Sequence, residues 1–130
     1  MKTILFVEDD PFLIDIYKTK LNAAGFNVEI ATGGESALEK IKDRNLAKKR
    51  KGVWPDLVVL DIVLPQIDGW EILGKIKKDE KLKDIKVLIL SNLSQKAEVE
   101  KGLSLGATKY LIKAHYTPSE VVEEIKKILK

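Results

Sequence analysis

Six polar residues stand where short apolar runs end. Glu8, Asp9 and Asp10 follow Ile4-Leu5-Phe6-Val7, and Asp61 follows Leu57-Val58-Val59-Leu60. Ser91 follows Val87-Leu88-Ile89-Leu90, and Lys113 follows Tyr110-Leu111-Ile112. Any one polar strand end is ordinary; four such ends carrying acids, a hydroxyl and a lysine are not. Two carboxylates about 4 Å apart repel by roughly 4 kcal/mol at an effective dielectric near 20, so a cluster of them retains a proton or binds a cation. Oxygen ligands without His or Cys select a hard ion such as Mg²⁺, which keeps open positions for phosphate oxygens. Lys113 would then pair with further phosphoryl oxygens as a point charge, and Ser91 would donate a hydrogen bond to another. Asp61 is placed as a nucleophile toward phosphorus, giving an aspartyl-phosphate.

The elements that must position these residues alternate in type. Continuous apolar runs at 4–7, 57–60, 87–90 and 110–112, with Val28-Glu29-Ile30-Ala31, read as strands, most of them buried on both faces. Between them lie helical patterns. Leu13, Ile16, Tyr17, Leu21 and Ala24 share a face, and Gly25 stops that helix. Thr32 with Glu35 reads as a capping box for a helix through about Lys42, and Asp68 with Glu71 caps the next. Ser94 is the expected cap of a helix from about Gln95 to Leu105, stopped by Gly106. Thr117, Pro118 and Glu120 start the last helix with a cap, a first-turn proline and a box partner. Five βα units imply an α/β fold, a parallel sheet with helices on both faces. In such a sheet ligands bind outside the carboxyl ends of the strands, where all six polar residues fall.

Composition narrows the rest. At 130 residues the chain is read as one domain, 1–130, with a single core. A 45% hydrophobic and 33% charged composition is that of a globular chain rather than a disordered one. No apolar run approaches the ~18 residues of a membrane span, and the start lacks a secretory pattern, so a cytoplasmic setting is expected. Cysteine is absent, which excludes disulfides and thiolate metal sites. The net charge of +3 is local: residues 42–52 hold six basic side chains and one acid, and the other 119 residues carry −2. That run is read as a solvated loop rather than a nucleic-acid face, because no aromatic is interleaved in it.

The stretches ILFVEDD, PDLVVLDIVLPQIDGWEIL, VLILSN and GATKYLIK together resemble the response-regulator receiver domain of bacterial two-component signalling, over essentially the whole chain. The most specific is the middle one, where Asp61 is followed by Leu64-Pro65 and Asp68-Gly69. The resemblance implies a three-layer (βα)5 flavodoxin-like fold of strand order 2-1-3-4-5, like the single-domain chemotaxis receivers. It implies Asp61 as phosphoacceptor and a Mg²⁺ site made of Asp9, Asp61, the Val63 backbone carbonyl and, mostly through water, Glu8. It further implies Ser91 as switch hydroxyl, Lys113 as phosphate-contacting lysine and Tyr110 as switch aromatic. The implied partners are a histidine kinase or histidine phosphotransfer protein and a downstream protein target. That target would read the face of the fourth helix, fifth strand and fifth helix, with no direct nucleic-acid or membrane contact. Phosphorylation draws Ser91 inward in that scheme, and Tyr110 rotates into the vacated space.

Three positions depart from the family pattern. Ala114 replaces the usual proline after Lys113. A cis non-proline bond costs ~2.5–4 kcal/mol, so sequence leaves that bond open between cis and trans. Lys113 is expected to reach the site either way. Asn92 stands where a small residue is usual and is expected to narrow access to the phosphoryl group. Val63 and Leu93 are apolar at two rim positions that modulate hydrolysis in the family, so slow dephosphorylation is expected.

Other patterns carry less. Gly102-Leu103-Ser104-Leu105-Gly106 matches a nucleophile elbow, but it ends a helix where an elbow must follow a strand. His115 reads as a surface-loop residue, and the Asn92-Leu93-Ser94 sequon has no role in a cytoplasmic chain. Trp54 and Trp70 read as partly buried packing residues, with Trp70 near enough to the acids to report Mg²⁺ by its fluorescence. A small aspartyl phosphatase would need a substrate pocket and a second acid, and neither is evident. A flavodoxin-like cofactor binder would need a Gly/Ser/Thr-rich first loop, where Glu8-Asp9-Asp10 would repel an anion. A degenerate receiver that binds partners without phosphorylation is the alternative left by Asn92 and Ala114. The last helix ends at Lys130 without a following effector, as in a stand-alone receiver or one cut from a longer chain.

Overall fold

The computed structural model describes residues 1–47 and 55–130, with side chains for 1–41 and 55–130. Five parallel strands form one sheet: β1 (Thr3–Val7), β2 (Asn27–Ala31), β3 (Leu57–Leu60), β4 (Lys86–Ser91) and β5 (Lys109–Ile112). Their order is β2-β1-β3-β4-β5, as the resemblance implies. The helices are α1 (Pro11–Ala23), α2 (Gly34–Ala47), α3 (Gly69–Lys78), α4 (Lys96–Ser104) and α5 (Pro118–Ile128). Among the described residues no helix is long and apolar enough to cross a membrane.

The continuous apolar strands have the effect expected of them: alternate residues feed two cores. Ile4, Phe6, Leu57, Val59, Leu88, Leu90 and Leu111 pack under α1 and α5, against Tyr17, Leu21, Val121 and Ile125. Leu5, Val7, Val58, Leu60, Val87, Ile89 and Tyr110 pack on the other face, against Ala37, Ile41, Ile72, Leu73 and Ile76. The sheet is therefore the middle of three layers, and a one-residue register slip would exchange the two faces.

Register places the polar strand ends level with one another. Val7 pairs with Leu60, Leu60 with Ile89, and Ser91 with Ile112. Hydrogen bonding continues one residue past the strands, with Glu8 N–H donating to Ala31 O (3.0 Å) and Asp61 N–H to Val7 O (3.2 Å). The backbones of Glu8 and Asp61 are thus fixed by the sheet rather than by loops.

Several helix boundaries differ from the sequence expectation. Asp10 takes a non-helical cap conformation, and its Oδ1 accepts from Phe12 N–H at 2.9 Å, with Pro11 opening α1. α2 begins at Gly34, so Thr32 precedes the cap position instead of occupying it. It also continues to Ala47, because no glycine or proline interrupts Asp43-Arg44-Asn45-Leu46-Ala47. The first part of the basic run is therefore helix, not loop; residues 48–52 and Trp54 lie outside the described residues. α4 is capped at Gln95, without a side-chain bond, not at Ser94. Asp68 caps α3 as expected, its Oδ1 accepting from Glu71 N–H at 3.0 Å, and Thr117 with Glu120 forms the full capping box.

Candidate functional site

Three loops meet at the carboxyl edge of the sheet. The β3–α3 loop is drawn back over its own strand: Gly69 N–H donates to Ile62 O at 2.8 Å. A Cβ on Gly69 would lie 2.4 Å from Asp61 O and 2.6 Å from Ile62 Cα, so only glycine lets α3 start this close to the acid. The loop also holds Gln66 at φ 66°, a left-handed position for a residue with a side chain. Ile67 N–H closes on Pro65 O across it at 2.8 Å, a tight and strained turn.

Carboxylate oxygens of Glu8, Asp9 and Asp61 lie within 4.8 Å of one another. Glu8 and Asp61 are buried at 2% and 6% exposure, while Asp9 is exposed. Lys113 reaches over the edge from β5, its Nζ 2.6 Å from Glu8 Oε2 and 2.8 Å from Asp61 Oδ2. Both oxygens of Glu8 are engaged, since Oε1 accepts from Asp9 and Asp10 N–H at 3.2 Å each. Asp61 Oδ1 accepts from Val63 N–H at 3.2 Å. Three carboxylates against one ammonium leave the cluster short of positive charge.

Burial acts first on Glu8, pushing its carboxyl above the ordinary value, while Lys113 opposes it through a hydrogen bond and its charge. Burial would lower Lys113, but hydrogen bonds and charge from Asp61 and Glu8 outweigh it, and the ammonium titrates above its ordinary value. Tyr17, buried on α1, is pushed up to about 12 by burial, with the charge of Glu8 adding to the effect.

This raised carboxyl gives stability a measurable pH dependence. With its folded pKa raised, Glu8 favours the fold below pH 4.5, and that contribution is lost as pH rises through the folded value. Glu8→Gln, which mimics the protonated form, should therefore gain stability relative to wild type between pH 4 and pH 7. Denaturant melts in EDTA at the two pH values measure it. A difference that is flat or falls with pH would refute this account of Glu8.

Ser91, fully buried, ends β4, the strand next to β3, its Oγ accepting from Leu93 N–H at 3.3 Å. Tyr110 is already turned inward at 9% exposure, its hydroxyl donating to Leu93 O at 2.7 Å. Burial raises its phenol, opposed by a hydrogen bond with Ser91.

The comparisons with known proteins bear on this geometry. The model of the response regulator receiver domain matches residues 4–126. The chain belongs to the response regulator receiver domains. One relative is the DNA-binding dual master transcriptional regulator RpaA of Synechocystis, 33% identical over 130 residues, which are 100% of this chain and 50% of RpaA. A CheY-like receiver domain protein from Methanospirillum hungatei superposes with a TM-score of 0.81 at 29% identity, covering 98% of this chain and 92% of the other. The BeF3-activated receiver domain of DrrB gives 0.78 at 28% identity, covering 99% and 97%. The receiver spans about half the length of the curated relatives it matches.

Glu8, Asp9, Asp61 and Lys113 converge in this receiver, with Ser91 at the end of the neighbouring β4, whereas Asp10 leaves the acid cluster to cap α1. The Lys113–Ala114 peptide is trans, and Lys113–His115 forms a single 3-10 turn that still delivers the ammonium to the acids. Asn92 lines a groove of about 360 Å³ that runs beside Lys113 between Leu13, Tyr17, Ala114 and Pro118. Val63 is exposed on the rim, and Leu93 is half-buried against the core. Trp70 is half-buried, with Lys101 Nζ of α4 4.4 Å from its ring centroid, a cation–π contact between α3 and α4. Sequence reasoning placed Tyr17 on the apolar face of α1, which gave no sign that its phenol would feel the charge of Glu8.

Proposed function

We propose that residues 1–130 are a receiver that takes a phosphoryl group from a protein phosphohistidine onto Asp61 and uses it to switch a partner-binding surface. What carries this reading is the Asp61 carboxylate: buried at 6% exposure, 2.8 Å from the Lys113 ammonium and grouped with two further acids. A carboxylate oxygen of Asp61 forms the new bond to phosphorus. The P–N bond to the donor imidazole breaks, and the imidazole keeps the electron pair and takes up a proton. Lys113, released from part of its pairing with Asp61, neutralises the incoming phosphoryl oxygens, and Ser91 donates its hydroxyl hydrogen to another.

The donor set suits a hard divalent ion. It is all oxygen, and its carboxylates outnumber the one ammonium beside them. Asp9, Asp61 and the Val63 carbonyl would hold Mg²⁺ directly, with Glu8 acting through water because both its oxygens are occupied. When bound, the ion neutralises negative charge on the transferring group. The exposed apolar Val63 and the half-buried Leu93 at the rim would shed water, so the aspartyl-phosphate is expected to be long-lived, with Asn92 narrowing the approach from the Lys113 side.

The proposed donors are a histidine kinase or a histidine phosphotransfer protein, in a cytoplasmic phosphorelay. The proposed reader is a protein target on α4, β5 and α5, where Leu103 and Leu105 are exposed. Incubation with acetyl phosphate and Mg²⁺, followed by intact mass, tests the reading. The protein should gain one phosphoryl group, hold it for minutes rather than seconds, and gain none in EDTA. No gain with Mg²⁺ would leave the alternative, a module that binds partners without phosphorylation.

A further inference from the structure

Gly102 is the buried residue of α4. A Cβ there would lie 2.7 Å from Ile89 Cδ1 and 2.9 Å from Tyr110 Cδ2, closer than side-chain carbons approach one another. The Tyr110 ring thus occupies space that any other residue at 102 would claim. Glycine inside a helix is less stable than alanine, so its presence here is a cost that the packing must offset. Gly74 of α3 offers the contrast, because nothing lies within 4 Å of the Cβ it lacks.

A short chain of contacts links this notch to the phosphoacceptor edge. Gly102 admits the Tyr110 ring, the Tyr110 hydroxyl donates to Leu93 O at 2.7 Å, and Leu93 N–H donates to Ser91 Oγ at 3.3 Å. The Leu93 residue is gripped at both its peptide groups. With Oγ accepting from Leu93 and the Tyr110 hydroxyl donating to Leu93 O, the Ser91 hydroxyl hydrogen is the one that serves the hydrogen bond with the Tyr110 oxygen.

We propose that Gly102 is a positioning residue: by lacking a side chain it keeps Tyr110 inside before any phosphoryl group arrives, and through Leu93 it sets the Ser91 hydroxyl. The proposal deepens the reading of Asp61 and Ser91 as the phosphoryl site and rests on it. Its consequence is that Tyr110 need not travel when Asp61 is phosphorylated, because the inward packing already exists.

The test labels the three tyrosines with 3-fluorotyrosine, assigns the Tyr110 fluorine signal with Tyr110→Phe, and measures its broadening by a soluble paramagnet. The rate of phosphoryl gain from acetyl phosphate with Mg²⁺ is read by intact mass. Gly102→Ala should expose Tyr110 and slow phosphoryl gain about fivefold or more. Gly74→Ala should change neither. Gly102→Ala/Ile89→Val removes the atom at 2.7 Å and keeps the one at 2.9 Å, so Tyr110 should remain exposed. If Tyr110 returns inside in that double variant, Ile89 and not Tyr110 carries the effect, and the proposal fails. It fails equally if Gly102→Ala leaves exposure and rate unchanged. Should Gly102→Ala not fold, Gly102→Ala/Tyr110→Ala must fold, since it removes the ring; continued failure overturns the proposal. Absence of any phosphoryl gain in wild type would count against the Asp61 reading, while the fluorine signal would still decide whether Gly102 governs Tyr110.

Discussion

Asp61→Asn will gain no phosphoryl group under conditions that fully convert the wild type, and it will stay folded. Loss of the reaction comes from the amide, which has no anionic oxygen to attack phosphorus. Retention of the fold comes from opposing charges. At 2.8 Å and an effective dielectric near 20, Lys113 attracts Asp61 by ~6 kcal/mol. Glu8 and Asp9, with oxygens within 4.8 Å, each repel it by ~3.5 kcal/mol or more. The sums nearly cancel, and asparagine keeps the oxygen that accepts from Val63 N–H. Stability in EDTA should therefore change by no more than about 1 kcal/mol, within the usual range of a substitution that opens no cavity. Intact mass and guanidinium melts check the two halves. The rise in melting temperature that Mg²⁺ gives the wild type should shrink as well, because a ligand stabilises only as far as it binds the folded state. Phosphoryl gain on Asp61→Asn would move the acceptor to another acid, and a loss of several kcal/mol would show that Lys113 dominates the balance.

The layout of this site was legible because parallel sheets deliver every strand end to one edge. The polar residue at the end of each apolar run was enough to bring Glu8, Asp9, Asp61 and Lys113 together. Local signals were read less evenly. Asp10-Pro11 is a cap with a first-turn proline, a helix start as plain as Thr117-Pro118, yet beside two other acids it reads as part of the cluster. Ser94 has the right chemistry for a cap, but Leu93 just before it is held by Tyr110 and Ser91, and the backbone is still extended at Gln95. The inward setting of Tyr110 was not legible at all. It depends on a missing Cβ at Gly102, eight residues away and on another element, and no periodicity encodes it. The left-handed Gln66 is similar: the turn is imposed by drawing Gly69 back onto Ile62, and glutamine carries no signal for it. The trans Lys113–Ala114 bond could only be bounded by its cost, whereas the reach of Lys113 to two acids needed three-dimensional register.

Lys113→Met should be the most destabilising change at the site. Among the described residues Lys113 is the only cation paired with Glu8 and Asp61, at 16% side-chain exposure against 3% and 7%. Breaking a buried pair from one side costs ~3–5 kcal/mol, because the remaining charge is left without compensation. Here two acids are left, so about 3 kcal/mol is expected at pH 7 in EDTA even after partial relief by protonation. The signs are separable. The wild-type contribution of Lys113, with its folded pKa raised, is complete at neutral pH and lost only as pH climbs through that raised value. In the variant, Glu8 loses the hydrogen bond and charge of Lys113 that oppose the rise of its carboxyl, so the deficit should shrink as pH falls from 7 to 5. Mg²⁺ should also shrink it, by supplying the missing charge. Lys113→Met/Glu8→Gln should regain most of the stability, since one buried acid is then neutral. It should not regain the rate of phosphoryl gain, which is expected to fall about a hundredfold with the loss of one preorganised electrostatic partner. Melts at two pH values, with and without Mg²⁺, and mass-detected phosphorylation separate these effects. Equal deficits at pH 5 and pH 7 would show that Lys113 stabilises by packing its stem rather than by charge. A double variant that recovered rate together with stability would remove Lys113 from the chemistry.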